Sequence, residues 1–246
     1  LEVNMLERLR RRIEEKSADL RARPATIVAL GDSVTAGIFE LQTYDFAAVY
    51  HARLKRLLEA RWPRCIFNVL NVGIGGDSAS GGLARLERDV IPHDPDLVTV
   101  AFGLNDSGGG EAGRPRFAEA LRGIARTLGE RTEADLVFLT PSFMNSRDAG
   151  EAVAPCHREA DLPARFAARQ NSGLLAQYAE DIRAVAAEFA CPVADVYAAW
   201  EELAANGVDT TAMLANGLNH PTRAAHQIPA DLLMALIDPD CLGESR

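Results

Sequence analysis

A chain of 246 residues, 48% of them hydrophobic, is long enough to bury one sizeable core, and an α/β unit of this size is routinely a single domain. Its 26 basic residues are outnumbered by 35 acidic ones, for a net charge of -9, with the two signs interspersed. Nucleic acid is therefore excluded as a leading partner, because phosphate binding needs a basic stripe, and no run of about 18 apolar residues marks a membrane span.

Residues 1–24 are expected to form an N-terminal surface helix ahead of a domain spanning 25–246. Arg and Glu interrupt every apolar stretch near the start, so no signal peptide is expected, and Leu1–Asn4 are set apart from the fold. The pattern of Leu6, Leu9, Ile13 and Leu20 predicts an amphipathic helix over 6–22, ended by Pro24. Packing on the domain surface is the plain reading. A dimerisation helix, and hence a homo-oligomer, is the other.

Short apolar runs then alternate with helical patterns. Strands are predicted at 26–30, 66–72, 97–102, 136–140 and 192–194. Helices are predicted over 46–60, 82–89, 116–131, 174–189 and 224–236, with Pro229 able to delay the last. Continuous apolar strands between helices imply a five-stranded parallel sheet covered on both faces. One segment, 141–173, is too long for an ordinary connection and reads as a functional loop. It is rich in Arg, Glu, Asp and Ala, which argues against an oily lid for lipid. Cys65, Cys156, Cys191 and Cys241 form no CxxC pair and read as reduced thiols of a cytoplasmic protein.

Open parallel sheets bind ligands outside the carboxyl ends of their strands. The first strand is followed by Gly31-Asp32-Ser33-Val34-Thr35-Ala36-Gly37, and the second runs out through Asn71-Val72-Gly73-Ile74-Gly75-Gly76-Asp77-Ser78. Gly103-Leu104-Asn105-Asp106 follows the third, and Asn216-Gly217-Leu218-Asn219-His220-Pro221 precedes the last helix. Acyl transfer needs a hydroxyl nucleophile, a base and donors for the developing oxyanion. Ser33 supplies the hydroxyl and His220 the base. The donors are the Ser33 and Gly76 N–H groups and the Asn105 side-chain amide. Each cluster alone is an ordinary turn; four in order on one edge point to a site.

These four blocks resemble those of the SGNH (GDSL-type) hydrolases: Gly31-Asp32-Ser33, Asn71-x-Gly73-x-x-Gly76, Gly103-x-Asn105-Asp106 and His220-Pro221. The resemblance runs over 27–236. It implies a flavodoxin-like three-layer α/β/α sandwich and hydrolysis of esters or thioesters by Ser33 and His220, without metal or cofactor. The oxyanion hole carried over from the family is the Ser33 N–H, the Gly76 N–H and the Asn105 side chain. The expected substrate is a short-chain acyl ester, O-acetyl included, of a small polar or carbohydrate molecule. A lysophospholipase or thioesterase is the runner-up, and an inactive carbohydrate-binding relative the third reading.

Family members commonly carry Asp three residues before the histidine, where this chain has Gly217. A triad acid orients the imidazole and stabilises its cation. Here Asn216 or a backbone carbonyl is expected to orient His220, with Asp195 and Asp209 as more distant acids. Asp195 reads more readily as the cap of a helix near Tyr197.

The remaining histidines read as structural. His51 and His93 are incidental, and His226 is a hydrogen-bond donor near the start of the last helix. His157, beside Cys156, lacks any partner at metal-ligand spacing. Thr35 replaces the second glycine of a Gly-x-Ser-x-Gly elbow, which excludes the α/β-hydrolase arrangement. The hydroxyl-rich run Ser33–Gly37 also resembles a flavodoxin phosphate loop, a rival reading as a cofactor binder.

Overall fold

The computed structural model describes residues 6–41 and 43–242, with side chains to residue 240; Leu1–Asn4 and the Cys241 side chain lie outside them. In chain order the elements are α1 (Glu7–Ala18), β1 (Ala25–Gly31), α2 (Ser33–Ala36), α3 (Tyr50–Arg61), β2 (Phe67–Gly73), α4 (Ala79–Ala84), α5 (Leu86–Asp89), β3 (Leu97–Ala101) and α6 (Gly110–Arg131). They continue as β4 (Asp135–Leu139), α7 (Pro155–Glu159), α8 (Leu162–Asn171), α9 (Leu174–Glu188), β5 (Val193–Ala194), α10 (Val196–Ala205) and α11 (Gln227–Ile237).

The strands form one parallel sheet in the order β2-β1-β3-β4-β5. β1 is buried at every position because both its faces are covered. Val28, Leu30, Val98, Val100 and Phe138 point to one side, against Phe117, Leu121 and Ile124 of α6 and Tyr178 and Ile182 of α9. Ala25, Ile27, Leu97, Val137 and Leu139 point to the other, against α1, α3 and α11. This is the flavodoxin-like α/β/α sandwich that the sequence predicts. No helix among the described residues is long and apolar enough to cross a membrane.

α1 lies across the edge where the strands begin. Leu6, Leu9 and Ile13 enter the core, and Arg8 donates to Asp96, Asp94 and Glu133. Asp96 is fully buried, and Arg8, Arg12 and Arg23 all reach its Oδ1. The Leu9 N–H donates to Asp135, and Arg10 to the Ile237 carbonyl. The helix stops at Ala18, short of the predicted end, because Asp19 is extended and Lys16 donates to the Leu20 carbonyl. Leu20 thereby leaves the apolar stripe and is exposed.

Other boundaries differ from expectation: α3 begins at Tyr50 instead of 46, and the helix predicted over 82–89 is two, α4 and α5. α6 begins at Gly110 instead of 116, with Pro115 inside it. α11 begins at Gln227, which leaves Pro229 in the first turn, where its missing N–H has no helical acceptor to lose. The segment 141–173 is not a bare loop: α7 and α8 lie within it.

Candidate active site

In a sheet of this order the direction of winding reverses between β1 and β3, and ligands bind outside that switch point. Ser33 begins α2 directly after β1. Asp32 caps the helix through Oδ1, which accepts from the Val34 N–H at 3.0 Å. Asn105 follows β3 across the crevice. The Gly75-Gly76-Asp77 turn follows β2, and Arg85 anchors it. The Arg85 guanidinium donates to Asp77 Oδ2 at 2.8 Å, to the Val72 carbonyl at 2.6 Å and to the Gly31 carbonyl at 3.0 Å. Gly76 has φ +75°, a conformation that favours glycine, and its N–H has no acceptor among the described residues.

His220 reaches this edge on the loop before α11. Its Nε2 is 2.9 Å from Ser33 Oγ, and its Nδ1 is 2.9 Å from the Phe39 carbonyl oxygen. A carbonyl has no proton to give, so Nδ1 carries the hydrogen and Nε2 turns its lone pair to the Ser33 hydroxyl. The Phe39 carbonyl is firmly held. The Phe39 N–H donates to the Thr43 carbonyl, and the Arg223 guanidinium lies 4.5 Å from the Phe39 ring centroid. Arg223 is itself fixed by Glu40 at 2.7 Å and Asp45 at 3.0 Å.

The structure thus corrects the expected part of Asn216. Its Oδ1 accepts from the backbone N–H groups of Leu218, Asn219 and His220, each at 3.0 Å, and its Nδ2 donates to Asn219 Oδ1. Committed to three amides, that oxygen shapes the loop and does not meet the imidazole. Neither distant acid reaches it either. Asp195 caps α10 and pairs with Arg183 at 2.8 Å. Asp209 accepts from the Ala212 N–H and pairs with Arg147.

The place of the missing acid is physically closed. Gly217 has φ +66°, and a Cβ there would lie 2.7 Å from Ala149 Cβ, 3.0 Å from Val153 Cγ2 and 3.2 Å from Ala152 Cβ. Residues 149–153 of the long segment occupy the space that an aspartate side chain would need.

Asn105 Nδ2 donates to the Asp77 carbonyl at 2.9 Å and only loosely, at 3.4 Å, to Asp32 Oδ2. One of its two hydrogens is therefore weakly held and can turn to a substrate oxygen. Burial pushes the Asp32 carboxyl up to about 7, against the lowering effect of the Val34 N–H, and the charges of Asp106 and Asp77 add to the rise. Burial also holds His220 below the ordinary imidazole range; the Phe39 carbonyl opposes this and the charge of His157 adds to it.

A cavity of about 360 Å³ opens over these groups. Ser33, Gly76, Asn105 and His220 all line it, so all four predicted positions meet there. The sequence reading did not anticipate Ile38, Tyr44, His157, Leu162 or Phe166, which complete its walls. The Leu162–Phe166 spacing of one helical turn was the available signal for α8. His51 is buried with Nε2 on the Thr35 carbonyl at 3.0 Å. His226 is not a donor through Nδ1, because that atom accepts from the Tyr50 N–H at 3.2 Å. No cluster of three or more His, Cys, Asp or Glu fit to hold a metal occurs among the described residues.

A model of the GDSL-like Lipase/Acylhydrolase family matches residues 29–228. The chain is similar to thioesterase 1/protease 1/lysophospholipase L1 of Escherichia coli K12, 27% identical over 220 residues, covering 87% of this chain and 84% of that protein. It is similar over a shorter stretch to an acetylxylan esterase of Geobacillus stearothermophilus, 40% identical over 57 residues, 23% of this chain and 26% of the other. In fold it resembles the crystal structure of an acetylxylan esterase from Geobacillus stearothermophilus, with TM-score 0.64 and 22% identity over 87% of this chain and 94% of that one. A two-domain esterase active on acetylated mannans superposes with TM-score 0.69 and 20% identity, over 95% of this chain and 53% of that chain.

Proposed function

The chain belongs to the GDSL-like lipase/acylhydrolase family and is a serine ester hydrolase, and from that premise we propose that it removes short acyl groups, acetyl among them, from a small polar or carbohydrate alcohol. The observation that carries the assignment is the hydrogen-bonded run from Ser33 Oγ through His220 to the Phe39 carbonyl, with both contacts at 2.9 Å.

In this reading Ser33 Oγ attacks the ester carbonyl carbon while its proton passes to His220 Nε2. The carbonyl oxygen becomes an oxyanion facing the N–H groups of Ser33 and Gly76 and the Asn105 amide. As the tetrahedral intermediate collapses, the carbon–oxygen bond to the alcohol breaks and Nε2 returns the proton to the departing oxygen. Water then attacks the acyl-enzyme with the same base, releasing the carboxylic acid and restoring Ser33. The imidazolium leans on the Phe39 carbonyl dipole instead of on a carboxylate charge, so the pair works as a dyad.

Two observations support a short acyl group. The cavity lies at the small end of the roughly 300–1,000 Å³ that ligand pockets span. Relatives in sequence and fold include esterases of acetylated polysaccharides. The free thiols of Cys65, Cys156 and Cys191 support a cytoplasmic location.

A fluorophosphonate probe should label Ser33 alone, and Ser33→Ala should abolish turnover of p-nitrophenyl esters. Within a chain-length series, kcat/KM should peak at roughly two to four acyl carbons for a pocket of this size. A peak at about eight carbons or more would instead favour the lysophospholipase or thioesterase activity named for the Escherichia coli relative. No labelling and no turnover would leave an inactive carbohydrate binder.

A further inference from the structure

We propose that His157 determines specificity by binding, through Nε2, a hydroxyl group on the alcohol half of the ester. The proposal rests on the esterase reading above and adds what the enzyme demands of the leaving alcohol.

His157 lies on α7, inside the long segment after β4, and lines the cavity together with Ser33 and His220. Its Nδ1 is closed off from solvent and has no hydrogen-bond partner. A buried donor without a partner is costlier than a buried lone pair in the same position, so the ring hydrogen belongs on Nε2. The half-buried ring therefore meets the cavity through its other edge, with Nε2–H as a donor. Two polar groups of the cavity are already engaged: Glu40 accepts from Arg223 through both oxygens, and Asn216 holds three backbone amides. An imidazole donor open to the cavity, with no protein partner, calls for an acceptor on a ligand that covers it.

The alcohol half can be placed by chemistry. The departing oxygen takes its proton from His220 Nε2, so the alcohol lies on the His220 side of the scissile bond. The segment that carries His157 is packed on that side. The Asn145 N–H donates to the Leu218 carbonyl at 2.7 Å, and Ala149, Ala152 and Val153 close around Gly217. His157 and His220 line the same cavity. Leu162 and Phe166 of α8 give the same wall an apolar surface. An apolar wall with one imidazole donor matches a sugar ring or polyol, which presents C–H faces and hydroxyl edges. A plain alkyl or aryl alcohol covers the wall but leaves Nε2–H unpaired and desolvated.

The test compares two substrates with the same acyl group, a mono-O-acetylated methyl pentoside and p-nitrophenyl acetate, using wild type, His157→Leu and His157→Gln. His157→Leu should lower kcat/KM for the sugar acetate at least roughly tenfold more than for p-nitrophenyl acetate, mainly through KM. His157→Gln, which keeps a donor, should recover part of the loss on the sugar acetate. An equal fall on both substrates, no change on either, or a wild type that hydrolyses only the aryl ester would each overturn the proposal. Failure of the underlying reading is separate: it would appear as Ser33→Ala retaining wild-type turnover of p-nitrophenyl acetate, whatever His157 does.

Discussion

Replacing Gly217 by aspartate restores the residue that relatives commonly carry before the histidine, yet it should harm this protein. The left-handed backbone at φ +66° costs a side-chain-bearing residue roughly 1–2 kcal/mol. The new Cβ meets Ala149 Cβ at 2.7 Å, an atom that moves only with its backbone, and overpacking of that kind costs roughly 1–3 kcal/mol. The sum, about 2–5 kcal/mol, is a large part of the roughly 5–15 kcal/mol that stabilises a typical domain. Urea unfolding followed by circular dichroism should show the midpoint falling by about 1 M for a slope near 3 kcal/mol per molar. Turnover per folded molecule should not rise, because the Phe39 carbonyl already occupies His220 Nδ1. Gly217→Ala separates the backbone and Cβ terms from the charge and should lose most of the same stability. A Gly217→Asp protein that unfolds at the wild-type midpoint and turns over faster would refute the reasoning, since residues 149–153 would then have yielded to admit a working acid.

Asn105→Ala should lower kcat by roughly 10²–10³ with little change in KM, as measured by steady-state kinetics on p-nitrophenyl acetate; a rise in KM alone would make Asn105 a ground-state binder. Burial holds His220 below its ordinary value of 6.5, so the neutral base persists to lower pH, and the acid limb of kcat/KM should have its midpoint below 6.5. Asp32, raised by burial from 3.8 to about 7, keeps its proton in the folded protein over a range where the unfolded chain releases it. Its contribution to stability therefore falls as pH rises from about 4 to about 7, by on the order of 4 kcal/mol at most. Asp32→Asn should flatten that limb in urea midpoints taken at pH values spanning the range, and a wild type whose midpoints rise steadily with pH, unaltered by the substitution, would contradict it.

Much of the fold was legible because its signals are local. The apolar runs of β1 and β3 could only be strands covered on both faces, and the small polar clusters behind them could only fall at their carboxyl ends. The site positions Ser33, Gly76, Asn105 and His220 followed from that register. What stayed hidden has no side-chain signature. The orienter of His220 is a main-chain oxygen at Phe39, 181 residues away in sequence, and any residue type offers one. α8 was masked by Pro163 in its first turn and by a short apolar signal, Leu162 and Phe166 one turn apart. The first turns of α6 were masked by Gly110, Gly113 and Pro115, poor helix formers that packing against α4 and α9 overrides. Asp32 was legible only as part of the turn after β1. It caps α2 with one oxygen and touches the Asn105 amide with the other, a double use that no spacing rule encodes.

The clamp around Asp96 also sets an order of events during folding. α1 precedes the strands it packs on, but its partners are late: Asp96 is 88 residues on from Arg8, Asp135 is 126 residues on from Leu9, and Ile237 is 227 residues on from Arg10. Until β3 and β4 are in place, Arg8 and Arg12 have no carboxylate at Asp96 to meet, and Leu6, Leu9 and Ile13 have no core to enter. Contacts of such long sequence separation form slowly, because loop closure must precede their reward. α1 is thus synthesised before the strands it packs on and secured only after them, and it spends the interval as an amphipathic segment with its apolar stripe uncovered. Refolding followed by hydrogen exchange should protect β1 and β3 before α1.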